Sequence, residues 1–288
     1  MDSDRLNVVF EKLQELKQWE TVSLFSRSFY ELIARSLAEQ GTAAASVTLA
    51  FTDFLAAEVN YHRRLAALAG RDEMLVGDLQ SLADRRRVNL AAITELVANA
   101  PADTREVRRL QHLVLAECYY HQHRPRSVVQ HLRLAIECGA SHHLIHFALG
   151  YNLYALAVED FAVIGSQDAG IIITDQVAFQ RYCLVAASAF EASLSGSEFD
   201  GQVYWWMAHV LESAGMADAA HDLHDRAAAP DGRHSGDDQT AYLSELDEAA
   251  EAPDYLPQIT VAEIEQAGKL LRGSFSLSDV LGYEPGED

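Results

Sequence analysis

Apolar residues recur at three- and four-residue intervals from the start of the chain, the spacing that lines one face of an α-helix. Leu6, Val9, Phe10, Leu13 and Leu16 form a first stripe. Phe25, Phe29, Leu32, Ile33 and Leu37 form a second that stops at Gly41. A third runs from Thr42 to Leu68 through Val47, Phe51, Phe54, Leu55, Val59 and Leu65, with Gly70 behind it. The stretch from Met74 to Ala100 reads as a fourth and fifth helix, ended by Pro101, which cannot continue the backbone hydrogen bonding of a helix. Residues 1–103 are therefore expected to be a bundle of four or five antiparallel helices, or degenerate repeats of one helix pair.

From Thr104 to Ala229 the pattern repeats itself. Leu115, Ala116 and Tyr119 return 34 residues later as Leu149, Gly150 and Leu153, and Ala186, Phe190 and Ser193 return after the same interval as Ala220, His224 and Ala227. A spacing of 58 links Leu149, Gly150 and Leu153 to Met207, Ala208 and Leu211, and Val128, Leu132 and Ala135 to Ala186, Phe190 and Ser193. The excess of 58 over 34 places an insertion of 24 residues inside one helix pair. A small residue beside a large one at such a period lets two helices approach closely while the large side chain fills the groove alongside.

In these positions the chain resembles the tetratricopeptide-repeat (TPR) family over residues 104–229. The register is clearest from Gly201 to Ala227. His224 and Ser193 stand where that family usually has other residue types, and the insertion is atypical. The resemblance implies an all-α protein in which a helical bundle continues into a TPR-like α-solenoid, a right-handed superhelix of helix hairpins. It also implies a concave face that grips a polypeptide. Carried onto this chain, that face takes Leu113, Glu117, Tyr120 and His121 from the first unit, Leu144, Phe147, Tyr151 and Tyr154 from the second, and Gln202, Trp205, His209 and Glu212 from the third. Rings dominate the set, which suits an apolar or helical segment. The lysine and asparagine pattern with which some family members clamp a C-terminal carboxylate is absent.

The insertion, near 158–176, contains Ile171, Ile172, Ile173 and Thr174, a β-prone run that predicts a short strand or an apolar loop. Beyond Pro230 comes an acidic extension, 230–288. Within it Leu243–Glu251 and Val261–Leu271 are expected to be helical, and Phe275–Asp288 reads as a tail.

Charge narrows the partners. The net charge is −21, and residues 230–288 hold −11 of it through 14 acidic and 3 basic groups. Phosphates would be repelled, so no nucleic acid is expected, whereas a basic or apolar-helical protein segment is. The first twenty residues are charged and amphipathic, unlike a secretory signal, and the apolar stretch Leu144–Val158 is too short to span a bilayer. With three cysteines and no framework spacing, the expected location is the cytoplasm.

Candidate chemistry is sparse. Cys118 with His121, and Cys138 with His142, have spacings found in zinc sites, but buried cysteine in a helix needs no metal. Glu31, Glu58, His62 and Glu95 suggest a di-metal centre, yet Glu58 and His62 lie at i, i+4 rather than the i, i+3 that such bundles use, so a solvated face is the simpler reading. Arg85, Arg86 and Arg87 read as a solvated face too. No phosphate-binding glycine loop or nucleophile elbow is present. The expectation is a non-catalytic scaffold, with no cofactor, acting as adaptor, assembly factor or escort chaperone. A homo-oligomer or a structural subunit of a larger complex remains open, as does a metal-dependent enzyme built on 118–146.

Overall fold

The computed structural model describes residues 2–19, 21–69, 76–164, 171–196 and 199–227. The chain is mostly helical, and it forms two compact units, 1–140 and 141–288. The expected helices at 243–251 and 261–271 and the tail at 275–288 lie outside the described residues.

The first unit contains α1 (Asp2–Leu16), α2 (Leu24–Gln40), a 3-10 turn (Gly41–Ala44), α3 (Ala45–Ala69), α4 (Val76–Ala98), α5 (Arg105–Tyr120) and α6 (Pro125–Glu137). Local chemistry sets the ends. Ser23 Oγ accepts from Ser26 N at 3.1 Å, Thr104 Oγ1 accepts from Val107 N at 3.1 Å, and Pro125 opens α6, where a missing N–H costs nothing. Between Met74 and Ala100 there is one helix where two were expected: Gly77 falls in its first turn and no breaker interrupts it before Pro101. Phe29, Ile33, Phe51, Phe54 and Leu55 have no accessible surface and form the centre of this unit. Each such side chain stabilises the fold by roughly 1.5–3 kcal/mol. Helix α5 packs on α2, α3 and α4 as well as on α6. By length and composition the stretch Phe25–Leu68 is apolar enough to cross a membrane, and half of its most apolar window is buried.

The second unit contains α7 (His143–Phe161), β1 (Ala162–Ile164), β2 (Ile171–Ile173), α8 (Gln176–Glu191), α9 (Asp200–Ser213) and α10 (Ala217–Ala227). The β-prone run of the insertion is β2, paired antiparallel with β1 so that Val163 faces Ile172. Helices pair in sequence as α5 with α6, α7 with α8 and α9 with α10.

The repeated positions do the same work in each pair. Leu115, Ala116, Leu149, Leu153, Met207, Ala208 and Leu211 are buried, as are Val128, Leu132, Ala135, Ala186, Phe190, Ser193, Ala220 and Ala227. Gly150 shows why one of them must be small: a Cβ there would stand 3.0 Å from Ala186 O and 3.0 Å from the Phe190 ring. Ala186 and Phe190 are themselves repeat positions of the following helix. The turns repeat as well. His123 has φ 55° and Gly215 has φ 83°, and they lie 92 residues apart, one spacing of 58 plus one of 34. Around them Arg124 N donates to Tyr119 O at 3.1 Å and Met216 N to Leu211 O at 2.9 Å, the same helix-ending motif at the same phase.

Candidate functional site

In the second unit α7 and α9 bring six of the expected site residues into one aromatic cluster. Gln202, Trp205, His209 and Glu212 are spaced along one side of α9, and none of them is buried. The Trp205 and His209 rings stack with centroids 5.1 Å apart and planes 11° apart. Tyr154, from α7, reaches His209 Nε2 at 3.2 Å and Ser213 Oγ at 3.0 Å through its hydroxyl. Phe147 is buried against Phe190 and Phe199 at 5.2 and 5.0 Å. Tyr151 is half-buried, edge-on to Trp206 at 5.2 Å. Glu212 ends the row with 62% of its side chain exposed and His224 Nε2 at 3.5 Å. Burial lowers the basicity of His209, against the pull of Glu212, and raises the Tyr154 hydroxyl.

Trp206 is the hub that sequence reasoning passed over. It is 5% exposed, and Tyr151, Tyr154, Phe190, Trp205 and His209 all lie within 6.3 Å of its ring centre. Its signal was its place directly before the repeat residues Met207 and Ala208. That position turns the ring into the α7–α8–α9 junction and leaves Trp205 at the rim.

The first unit holds a different constellation. Glu117 and Tyr120 of α5, and His121 that caps its C-terminal end, all expected on a binding face, lie beside Glu58 and His62 of α3 and Arg86 of α4. Glu117 is 5% exposed; Tyr120 is half-buried with its ring 5.1 Å from His121. Glu58, 1% exposed, receives Arg86 Nε at 3.0 Å on one oxygen and Arg86 Nη2 at 2.6 Å on the other. The solvated-face readings of Glu58, His62 and Arg86 are thus corrected. On α4, residue 86 shares the inward side with Leu82, Leu90, Ile93 and Val97, and the basic run around it hid that register.

Arg86 also sets the state of His121. The same Nη2 donates to His121 Nδ1 at 2.6 Å, so that nitrogen is an acceptor and the ring proton sits on Nε2, 2.7 Å from Tyr30 Oη. Burial, with Arg86 and His62 close by, takes His121 down to about 3 against the pull of Glu58. Burial likewise takes His62, whose Nδ1 meets Thr21 Oγ1 at 2.7 Å, down to about 4. Burial pushes the Glu58 carboxyl up, but Arg86 outweighs it and leaves the group at about 2. Glu117 goes the other way: burial and the neighbouring Glu58 raise it to about 8 against the pull of Arg86. At neutral pH the cluster is one charged pair, Glu58 with Arg86, surrounded by neutral Glu117, His62 and His121.

The residues weighed for metal do not assemble. Cys118 is buried in α5 with its thiol pushed up by burial, Cys138 ends α6, and His142 caps α7 by accepting Leu144 N at 3.3 Å. Glu31 pairs with Lys17 at 2.6 Å and Arg35 at 3.3 Å, and Glu95 is exposed. Among the described residues no group of three or more His, Cys, Asp or Glu is placed to hold a metal ion. Glu58 and His62 do converge, but the cation that meets Glu58 is Arg86.

No protein-family model, no curated protein and no solved structure matches the chain. Its class is the one that the fold itself defines, an all-α protein whose helix pairs share a register.

Proposed function

We propose that the chain is a non-catalytic interaction scaffold, an adaptor, assembly factor or escort chaperone of the cytoplasm, that holds a segment of a partner protein on the α7–α9 face. In this reading the repeated helix pairs are those of a TPR-like right-handed solenoid, and within the second unit α7 and α9, the first helices of successive pairs, line the same side. The observation that carries it is the row Trp205, His209 and Glu212, left accessible above the buried Trp206 and Tyr154. Rigid rings at such a rim bury much area at small entropic cost when a helix or strand lies across them.

Selection of a displayed random-peptide library on the purified full chain tests this. Binders are expected to lose about tenfold in affinity on Trp205→Ala, as for a partly exposed aromatic anchor, with the melting temperature unchanged. No selectable binder, or a Trp205→Ala variant that melts early while binding normally, contradicts the assignment. A second reading, a structural subunit covered by neighbouring chains, draws on the exposed Val88 (69%) and Leu96 (56%) along the outer side of α4. Light scattering on the purified chain decides it: that reading expects a stable oligomer.

A further inference from the structure

The two units differ sharply in charge. Residues 1–140 carry 18 acidic and 17 basic groups, a net −1, whereas 141–288 carry 25 acidic and 5 basic, a net −20, of which 141–229 hold −9 through 11 acidic and 2 basic groups. The aromatic face therefore belongs to the acidic unit. Of the two Lys or Arg residues in 141–229, Arg181 lies on α8, and the Arg226 guanidinium sits over the Tyr204 ring at 5.7 Å. That contact is a cation resting on a ring of α9, beside the row that ends in the exposed Glu212 carboxylate.

We propose that the occupant of the α7–α9 face is a basic amphipathic helical segment of a partner protein. Its apolar side lies on Tyr151 and Trp205, and a lysine or arginine meets Glu212. The inference rests on the scaffold reading above and adds the chemistry of the ligand. Charge complementarity selects this occupant over the chain's own C-terminal segment. That segment follows α10 in the sequence, but residues 230–288 carry −11, the same sign as the −9 of 141–229. The negative field around the face favours a cationic helix and speeds its arrival. His209 stays neutral in its stack with Trp205, because burial holds its basicity down, so the row adds no opposing positive charge at pH 7.

Three synthetic peptides on the full-length protein, read by tryptophan fluorescence and calorimetry, test the proposal. One is a leucine–lysine amphipathic helix, one its leucine–glutamate counterpart, and one the chain's own segment 230–256, which carries −7. The lysine peptide is expected to bind at least about tenfold more tightly than the other two, with affinity falling as salt screens the charges. Trp205→Ala should weaken it about tenfold and Glu212→Gln about threefold, with circular dichroism and melting unchanged. Equal binding of the glutamate peptide or of segment 230–256 overturns the basic-partner proposal and leaves the scaffold reading standing. Binding of the lysine peptide that ignores Trp205→Ala means that charge alone collects it, which also overturns the proposal. Failure of all three peptides, in a chain whose displayed-library selection fails too, removes the scaffold reading itself.

Discussion

Removing Arg86 would strand the Glu58 carboxylate in the interior of the first unit, where it is 1% exposed. Arg86→Met is expected to cost about 3–5 kcal/mol, the usual penalty for breaking a buried pair from one side, whereas the double variant Glu58→Gln with Arg86→Met should cost much less. Urea unfolding of the three variants checks this. The neighbours add a pH dependence whose sign can be worked out. Glu58, lowered to about 2, supports the fold above its ordinary 4.5 and loses that support as pH falls through 2. His121 at about 3 and His62 at about 4 stay neutral while the unfolded chain gains protons below 6.5, so acid weakens the fold there too. Glu117 acts oppositely: raised to about 8, it keeps a proton that the unfolded chain loses above 4.5, and stability drains as pH rises toward 8. From about pH 7.5 to 8.5 the histidines are almost wholly neutral and Glu58 is ionised in both states, so Glu117 contributes nearly all of the slope from this cluster, up to about 1 kcal/mol per pH unit. Denaturation midpoints across that range should fall in the parent and fall less in Glu117→Gln; equal slopes would mean that Glu117 is already ionised at neutral pH.

At the scale of single elements, the helix pairs depend on close approach and on their turns. Gly150→Ala places a Cβ 3.0 Å from a backbone oxygen of α8, which cannot swing aside as a side-chain end can. The loss expected is about 1–3 kcal/mol, read as a lower melting temperature. Gly215→Ala should cost about 1 kcal/mol because its φ of 83° disfavours any Cβ, and His123→Gly should gain a similar amount at the matching turn with φ 55°. Thermal melts of both variants check the pair, and opposite signs are the diagnostic outcome. Much of this level was legible in the chain: the apolar stripes marked α1, α2 and α3, and the 34- and 58-residue spacings marked positions that are buried throughout except at Tyr119 and His224, which is part-exposed. What was hidden followed from packing between distant segments. Whether Glu117 faces a groove or a core depends on α2 and α3 lying against α5, a pairing that no local pattern encodes. Arg86 and Trp206 were masked by neighbours of the same kind, Arg85 and Arg87 in one case and Trp205 in the other.

For the whole molecule, the account divides labour between a near-neutral unit organised around a buried ion pair and an acidic unit with an accessible aromatic row. In the first, Arg86, Tyr30 and Thr21 engage Glu58, His121 and His62. In the proposed reading, the rings and the carboxylate of the second are where a polypeptide is held. Hydrogen exchange on the full-length protein, with and without a binder selected on it, measures that division most directly. The account predicts slowed exchange in segments 143–158 and 199–213 and unchanged exchange in 24–69. Protection confined to the first unit, with the α9 row exchanging as before, would contradict it.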